Sequence, residues 1–148
     1  MATTNIIEKK RNCIIKGDCI QILDSEFDSH SITLTFADPP YNISSGNRLN
    51  LLNNQTGGAY RKIYEEWDIF SQEEYYHFTE KWLNSVYRVL KTNGSLYVSC
   101  TQHNMGEILI AAKKIGFRLN NILTWYKTNA KIGRASCRER VYISVVGV

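Results

Sequence analysis

Proline is nearly absent from this 148-residue chain, its only two residues standing side by side, and glycine is limited to nine. Such scarcity excludes collagen-like and Pro/Gly-rich disordered classes. No apolar run approaches the roughly 20 residues that cross a bilayer, so no membrane span is expected. The first twelve residues are polar and basic, without the apolar centre of a secretory signal. Four cysteines, Cys13, Cys19, Cys100 and Cys137, show neither CxxC spacing nor a disulfide framework. A reducing cytoplasm is therefore expected, with no bound metal and with Cys13, Cys19 and Cys100 as small core residues. His30, His77 and His103 are scattered over separate elements and are expected to hold surface positions.

What remains is one ordinary domain's worth of chain, 43% hydrophobic and 22% charged, with a formal charge of +4. Part of that charge belongs to the end of the chain. From Ile132 onward the residues resemble the translation of a sequencing adapter, so 131–148 is expected to be a non-native tail, and it is excluded from fold reasoning. The alternative is a basic C-terminal strand over Val141 to Val146. Without Arg134, Arg138, Arg140 and Glu139 the charge falls to +2, which leaves no nucleic-acid argument resting on overall charge.

Residues 1–130 alternate between strand and helix signals. Cys13 to Lys16 reads as a short strand, and Asp18 as the N-cap of a helix carrying Ile20, Ile22 and Leu23. Ile32 to Phe36 reads as a strand with Ile32, Leu34 and Phe36 on one face; it must stop at Asp38-Pro39-Pro40-Tyr41, where two prolines remove two backbone donors. Asn42 to Gly58 reads as a long loop. Ser71 and Glu74 form a capping box ahead of a helix with Tyr75, Phe78, Trp82, Val86 and Val89 at core spacing. A left-handed cap is expected within Lys91 to Gly94, followed by a buried strand over Ser95 to Cys100. Met105 to Ile115 reads as a helix closed by Gly116, and Arg118 to Tyr126 as the last strand. The alternation predicts an α/β fold, an incomplete Rossmann-like, mainly parallel sheet with helices on its faces, whose ligands sit at the carboxyl ends of the strands. Asp38 to Tyr41 lies at such an end.

Four segments resemble one family, the DNA amino-methyltransferases of the restriction–modification type. They are Gly17-Asp18, Asp38-Pro39-Pro40-Tyr41-Asn42, Arg88 to Ser95, and Trp125-Tyr126-Lys127-Thr128-Asn129, together spanning roughly Ile14 to Asn129. The tetrapeptide alone is shared with RNA methyltransferases. The resemblance implies methyl transfer from S-adenosylmethionine to an exocyclic base nitrogen in DNA. Asp38, Pro39, Pro40 and Tyr41 would be the catalytic residues, and Asp18 and Asp38 would touch the cofactor. Asp at the first motif position accompanies adenine N6 more often than cytosine N4, where Ser is usual.

The motif suits that chemistry. An exocyclic amine is a poor nucleophile because its lone pair is delocalised into the ring. An acceptor on each N–H, the Asp38 carboxylate and the Pro39 carbonyl, would localise that pair and aim it. A base inside a duplex is out of reach, so it must be flipped, and Tyr41 offers a face to stack on it. Alternatives are a cytosine-N4 or RNA amino-methyltransferase, or a non-catalytic nucleic-acid-binding module. Arg48, Arg61 and Lys62 are candidate phosphate contacts, and ordinary loop residues otherwise. None of the glycines makes the G-x-G turn of a cofactor site, and only 37 residues precede Asp38. Either the chain is no methyltransferase, or the resemblance implies the permuted arrangement, in which the catalytic half comes first and the cofactor half follows; the adapter-like tail from Ile132 fits the second. The 148-residue chain by itself is then expected to be inactive.

Overall fold

The computed structural model describes residues 12–42, 68–126 and 140–148. The loop expected from Asn42 to Gly58, with Arg48, and the basic residues Arg61, Lys62 and Lys127 lie outside the described residues, Asn42 itself excepted.

Among the described residues, three helices and four strands follow in the order α1 (Cys19–Glu26), β1 (Ile32–Ala37), α2 (Gln72–Val89), β2 (Leu90–Cys100), α3 (Met105–Ile115), β3 (Arg118–Tyr126) and β4 (Arg140–Gly147). The sheet order is β1-β2-β4-β3. β1 and β2 are parallel, while β4 runs antiparallel to both its neighbours, so the sheet is mixed. It follows that β1, β2 and β3 all point the same way, the direction expected of a strand–helix alternation.

Local chemistry sets the helix starts. Asp18 accepts from the Gln21 backbone N–H at 2.9 Å and opens α1. The capping box of α2 is complete: Glu74 N–H donates to Ser71 Oγ at 3.2 Å and Ser71 N–H to Glu74 Oε2 at 2.8 Å. α3 closes at Gly116, whose φ of 122° only glycine adopts without strain. The Arg88 guanidinium ties α1 to α2, donating to the carbonyls of Leu23 at 2.6 Å and Phe27 at 3.1 Å. The core lies between the sheet and the helices, with Leu83, Leu90, Leu96, Val98, Ile108 and Ala111 fully buried. Burial of each large aliphatic side chain there contributes about 1.5–3 kcal/mol.

The structure departs from the sequence pattern at five places. Residues 13–16 form no strand; Ile14 is fully exposed, and a strand persists only beside a neighbour that completes its ladder. Cys13 and Cys19 are exposed rather than in the core, and only Cys100 of the three is buried. No left-handed cap ends α2: Leu90 turns at once into extended backbone, with φ −71° and ψ 140°. The expected cap residues instead bulge out of β2, because Ile32 pairs with Leu90 while Leu34 pairs with Ser95. Gly94 is required in that bulge for close approach, since a Cβ there would sit 2.9 Å from the Lys91 carbonyl oxygen. The same irregularity splits the apolar face expected of β1, so that Ile32 packs on the core whereas Leu34 and Phe36 are exposed.

The fifth departure is the tail. Arg140–Gly147, within the stretch left out of the fold reasoning, lies as β4 between β2 and β3, with Val145 and Val146 buried, and it covers the alternative strand over Val141 to Val146. Its β-branched run fills the gap between two parallel strands and completes the backbone ladders of both.

β1 therefore forms one edge of the described sheet, with Leu34 and Phe36 exposed on it at 59% and 62%. Unprotected apolar edges of this kind self-associate. The 148-residue chain expressed alone should be poorly soluble, and Leu34→Lys with Phe36→Lys should raise its soluble monomer at least severalfold, read by size exclusion with light scattering. A wild-type chain that is already monomeric and melts cooperatively would contradict this.

Candidate active site

The site begins where β1 stops. Ala37 is the last residue of β1 in register with β2, opposite Val98, so Asp38 and Ser99 follow side by side at the carboxyl ends of two parallel strands. Two prolines prevent the ladder from continuing, and the loop they form is held by side chains instead.

Two hydroxyls do the holding. The Tyr41 hydroxyl donates to Asp38 Oδ1 at 2.5 Å and accepts from the Ser99 hydroxyl at 2.6 Å. This leaves Asp38 Oδ2 without a hydrogen-bond partner among the described residues, on a side chain exposed at the strand tip. Burial, then donation to Asp38, pushes the Tyr41 phenol above its ordinary pKa, partly offset by Ser99. The phenol stays protonated at neutral pH and keeps the carboxylate oriented.

One step further in, the Tyr75 hydroxyl of α2 donates to the Pro40 carbonyl at 3.0 Å and accepts from Asn104 Nδ2 at 2.7 Å. Asn104 stands at the N-cap of α3 yet does not cap it. Its Oδ1 accepts instead from the Thr101 N–H and hydroxyl, at 2.8 and 2.9 Å. Asn42 takes a left-handed φ of 53°, which asparagine tolerates better than most residues. Its N–H donates to buried Asp68 at 2.6 Å, and its Oδ1 accepts from the Phe70 N–H at 3.0 Å.

Asp38, Pro39, Pro40 and Tyr41 thus stand together at one strand tip, as their order in the chain requires. Asp18 does not join them through any hydrogen bond: its Oδ1 is engaged in capping α1. Tyr75, Trp82 and Phe78 are helix core and partial core as expected, but Tyr75 also reaches the motif loop. Ser99, Asn104 and Asp68 support the loop without any motif to mark them. Among the described residues no group of His, Cys, Asp and Glu is placed to hold a metal, and no helix is long and apolar enough to cross a membrane.

Burial pushes the Tyr75 phenol from its ordinary 10.0 up to about 12. The folded state therefore favours the protonated phenol, a contribution fully present below pH 10 and lost as pH rises towards 12. In urea unfolding, the midpoint should fall over that window, and Tyr75→Phe should remove part of the fall. An equal fall in both proteins would show that Tyr75 is not the group responsible.

Comparison with known proteins gives this geometry its context. Residues 32–144 match the family model described as DNA methylase, the N6/N4 group. The Type II methyltransferase M2.LlaDCHI of Lactococcus lactis subsp. cremoris is 33% identical over 140 residues, covering 93% of this chain and 49% of that protein. The chain spans about half the length of the curated relatives it matches. Among solved structures, it resembles the DNA modification methylase TTHA0409 of Thermus thermophilus complexed with S-adenosyl-L-methionine, at TM-score 0.56 and 21% identity, covering 88% of this chain and 51% of that one. It also resembles the PvuII DNA methyltransferase (cytosine-N4-specific), at TM-score 0.61 and 17% identity, covering 88% and 47%. The likeness in structure establishes the incomplete Rossmann-like fold, and the family match over most of the chain establishes that it belongs to the N6/N4 DNA methylase family.

Proposed function

We propose that the full-length protein carrying this segment transfers a methyl group from S-adenosylmethionine to the exocyclic N6 of an adenine flipped out of duplex DNA. The observation that carries the reading is the exposed Asp38 carboxylate at the tip of β1, oriented by Tyr41 and directly followed by the Pro39 carbonyl. Family membership supports it, as do Type II methyltransferase relatives and a structural neighbour solved with S-adenosyl-L-methionine.

The described residues fit the acceptor side of this reaction. They supply two oxygens for the two N–H groups of an amine and an aromatic ring beside them. They do not complete a cofactor site: there is no G-x-G turn, and Asp18 Oδ1 is committed to its helix cap. The cofactor, held chiefly by residues outside this segment, supplies the methyl group. Asp38 Oδ2 and the Pro39 carbonyl accept from the amine and localise its lone pair. Pro40 fixes the loop, and Tyr41 stacks on the flipped base, a contact worth about 1–3 kcal/mol. No covalent intermediate with the protein is needed; the contribution is positioning and electrostatics.

Residues 1–130 are proposed to be the catalytic part of a permuted methyltransferase domain in a DNA-binding, cytoplasmic enzyme. Residues 131–148 are proposed to be an appended stretch whose strand takes a place that a natural strand fills in the full-length protein, and the 148-residue chain is proposed to be inactive by itself. Sequence downstream of Ala130 in the source genome checks this: an in-frame glycine-rich motif supports it. A second reading, cytosine N4, draws on the structural likeness to a cytosine-N4-specific enzyme; Asp rather than Ser at position 38 favours adenine.

In the full-length protein with labelled S-adenosylmethionine, duplex DNA should be labelled on adenine. Asp38→Ala should lower the rate by about 10²–10⁴-fold with DNA binding retained. Labelling of RNA alone, or an unchanged rate in the alanine variant, would defeat the reading.

A further inference from the structure

The buried hydroxyl of Tyr75 has no direct part in the acceptor chemistry, yet it is spent on the motif loop. It sits on α2, 35 residues from its acceptor in sequence, with 3% of its surface exposed. Both of its hydrogen-bonding capacities are used: the proton goes to the Pro40 carbonyl, and the oxygen accepts from Asn104. Asn104 is itself anchored by two donors from Thr101, just beyond the end of β2. A continuous chain of hydrogen bonds therefore runs from β2, through Asn104 and Tyr75, to the carbonyl that follows the two prolines.

The consequence is geometric. The ring of Pro40 locks its φ near −65°, so the peptide carrying the Pro39 carbonyl is rigidly related to the Pro40 Cα. The remaining freedoms of the pair are ψ of Pro39, which swings the Pro39 carbonyl and carries Pro40 with it, and ψ of Pro40, which swings the Pro40 carbonyl. A hydrogen bond to that carbonyl stops the swing. Tyr41 and Ser99 fix the Asp38 carboxylate from one side. Tyr75 fixes the Pro40–Tyr41 peptide, which the Pro40 ring ties to the peptide before it.

We propose that Tyr75, held by Asn104, is a positioning residue that fixes the direction of the Pro39 carbonyl, and thereby the alignment of the acceptor amine, through its hydrogen bond to Pro40. The inference rests on the methyltransfer reading above for its catalytic effect but not for its structural one. Misplacement of a reacting group by about 1 Å costs up to about 10²-fold in rate. Loss of the hydroxyl also leaves the part-buried Pro40 carbonyl and the buried Asn104 Nδ2 without this partner. The ring contacts of Tyr75 with Phe70, 5.9 Å between centroids, survive in phenylalanine, so Tyr75→Phe removes the hydroxyl alone.

Two readouts on the full-length protein test this. Amide hydrogen exchange at Asp38, Tyr41 and Asn42 should accelerate about tenfold or more in Tyr75→Phe and in Asn104→Ala, with the strands unchanged; unchanged exchange in the loop would overturn the proposal whatever the enzyme's substrate. Single-turnover methyl transfer should fall about 10–100-fold in Tyr75→Phe while the dissociation constants for S-adenosylmethionine and DNA stay within twofold. The double variant should be no slower than the slower single one. A rate within twofold of wild type, or a rate that recovers fully wherever the variant is fully folded, would overturn it. If the wild-type protein transfers no methyl to DNA but the loop exchange still accelerates, the function reading fails and the positioning role stands.

Discussion

Two adjacent prolines cannot donate to a β-ladder, and every feature of the candidate site follows from that constraint. β1 has to end at Ala37, so the backbone oxygens beyond it are released from the sheet. Released backbone is mobile unless side chains take over the role of the ladder. Here hydroxyls and amides do so, with Ser99 and Tyr41 on the carboxylate, Tyr75 on the Pro40 carbonyl, and Asp68 and Asn42 beyond. The parallel pairing of β1 with β2 brings Ser99 alongside Asp38, so the sheet supplies part of the support directly. The result is a short loop pinned by side chains, with Asp38 Oδ2 left without a hydrogen-bond partner among the described residues, the arrangement that the proposed activation of an amine needs.

Much of this was legible in local signals. The proline pair announced the strand end, Asp18 and the Ser71/Glu74 pair announced helix starts, and Gly116 announced a helix stop, because each acts on backbone within four residues of itself. What was not legible depends on distant partners. Tyr75 stands at core spacing on α2, and nothing in that spacing says that its hydroxyl meets a carbonyl 35 residues away. Asn104 stands at the N-cap of α3 and acts as a bridge. The outward turn of Leu34 and Phe36 follows from a register irregularity against β2, and residues 13–16 have no strand partner among the described residues.

β4 lies between β2 and β3. A β-branched run between two parallel strands gains two backbone ladders and buries two valines, whatever its origin. The motif loop is held by side chains of β2, α2 and the start of α3, and Ser99 of β2 pairs in turn with Ile143 of β4.

The central claim is that Asp38 and Pro39 present two oxygens to one amine. A crystal structure of the full-length protein with a cofactor analogue and duplex DNA containing a flipped adenine tests it most directly. The account predicts the adenine N6 about 3 Å from both Asp38 Oδ2 and the Pro39 carbonyl oxygen, with the Tyr41 ring against the base. Two oxygens turned away from the amine, with N6 held by other residues, would contradict it.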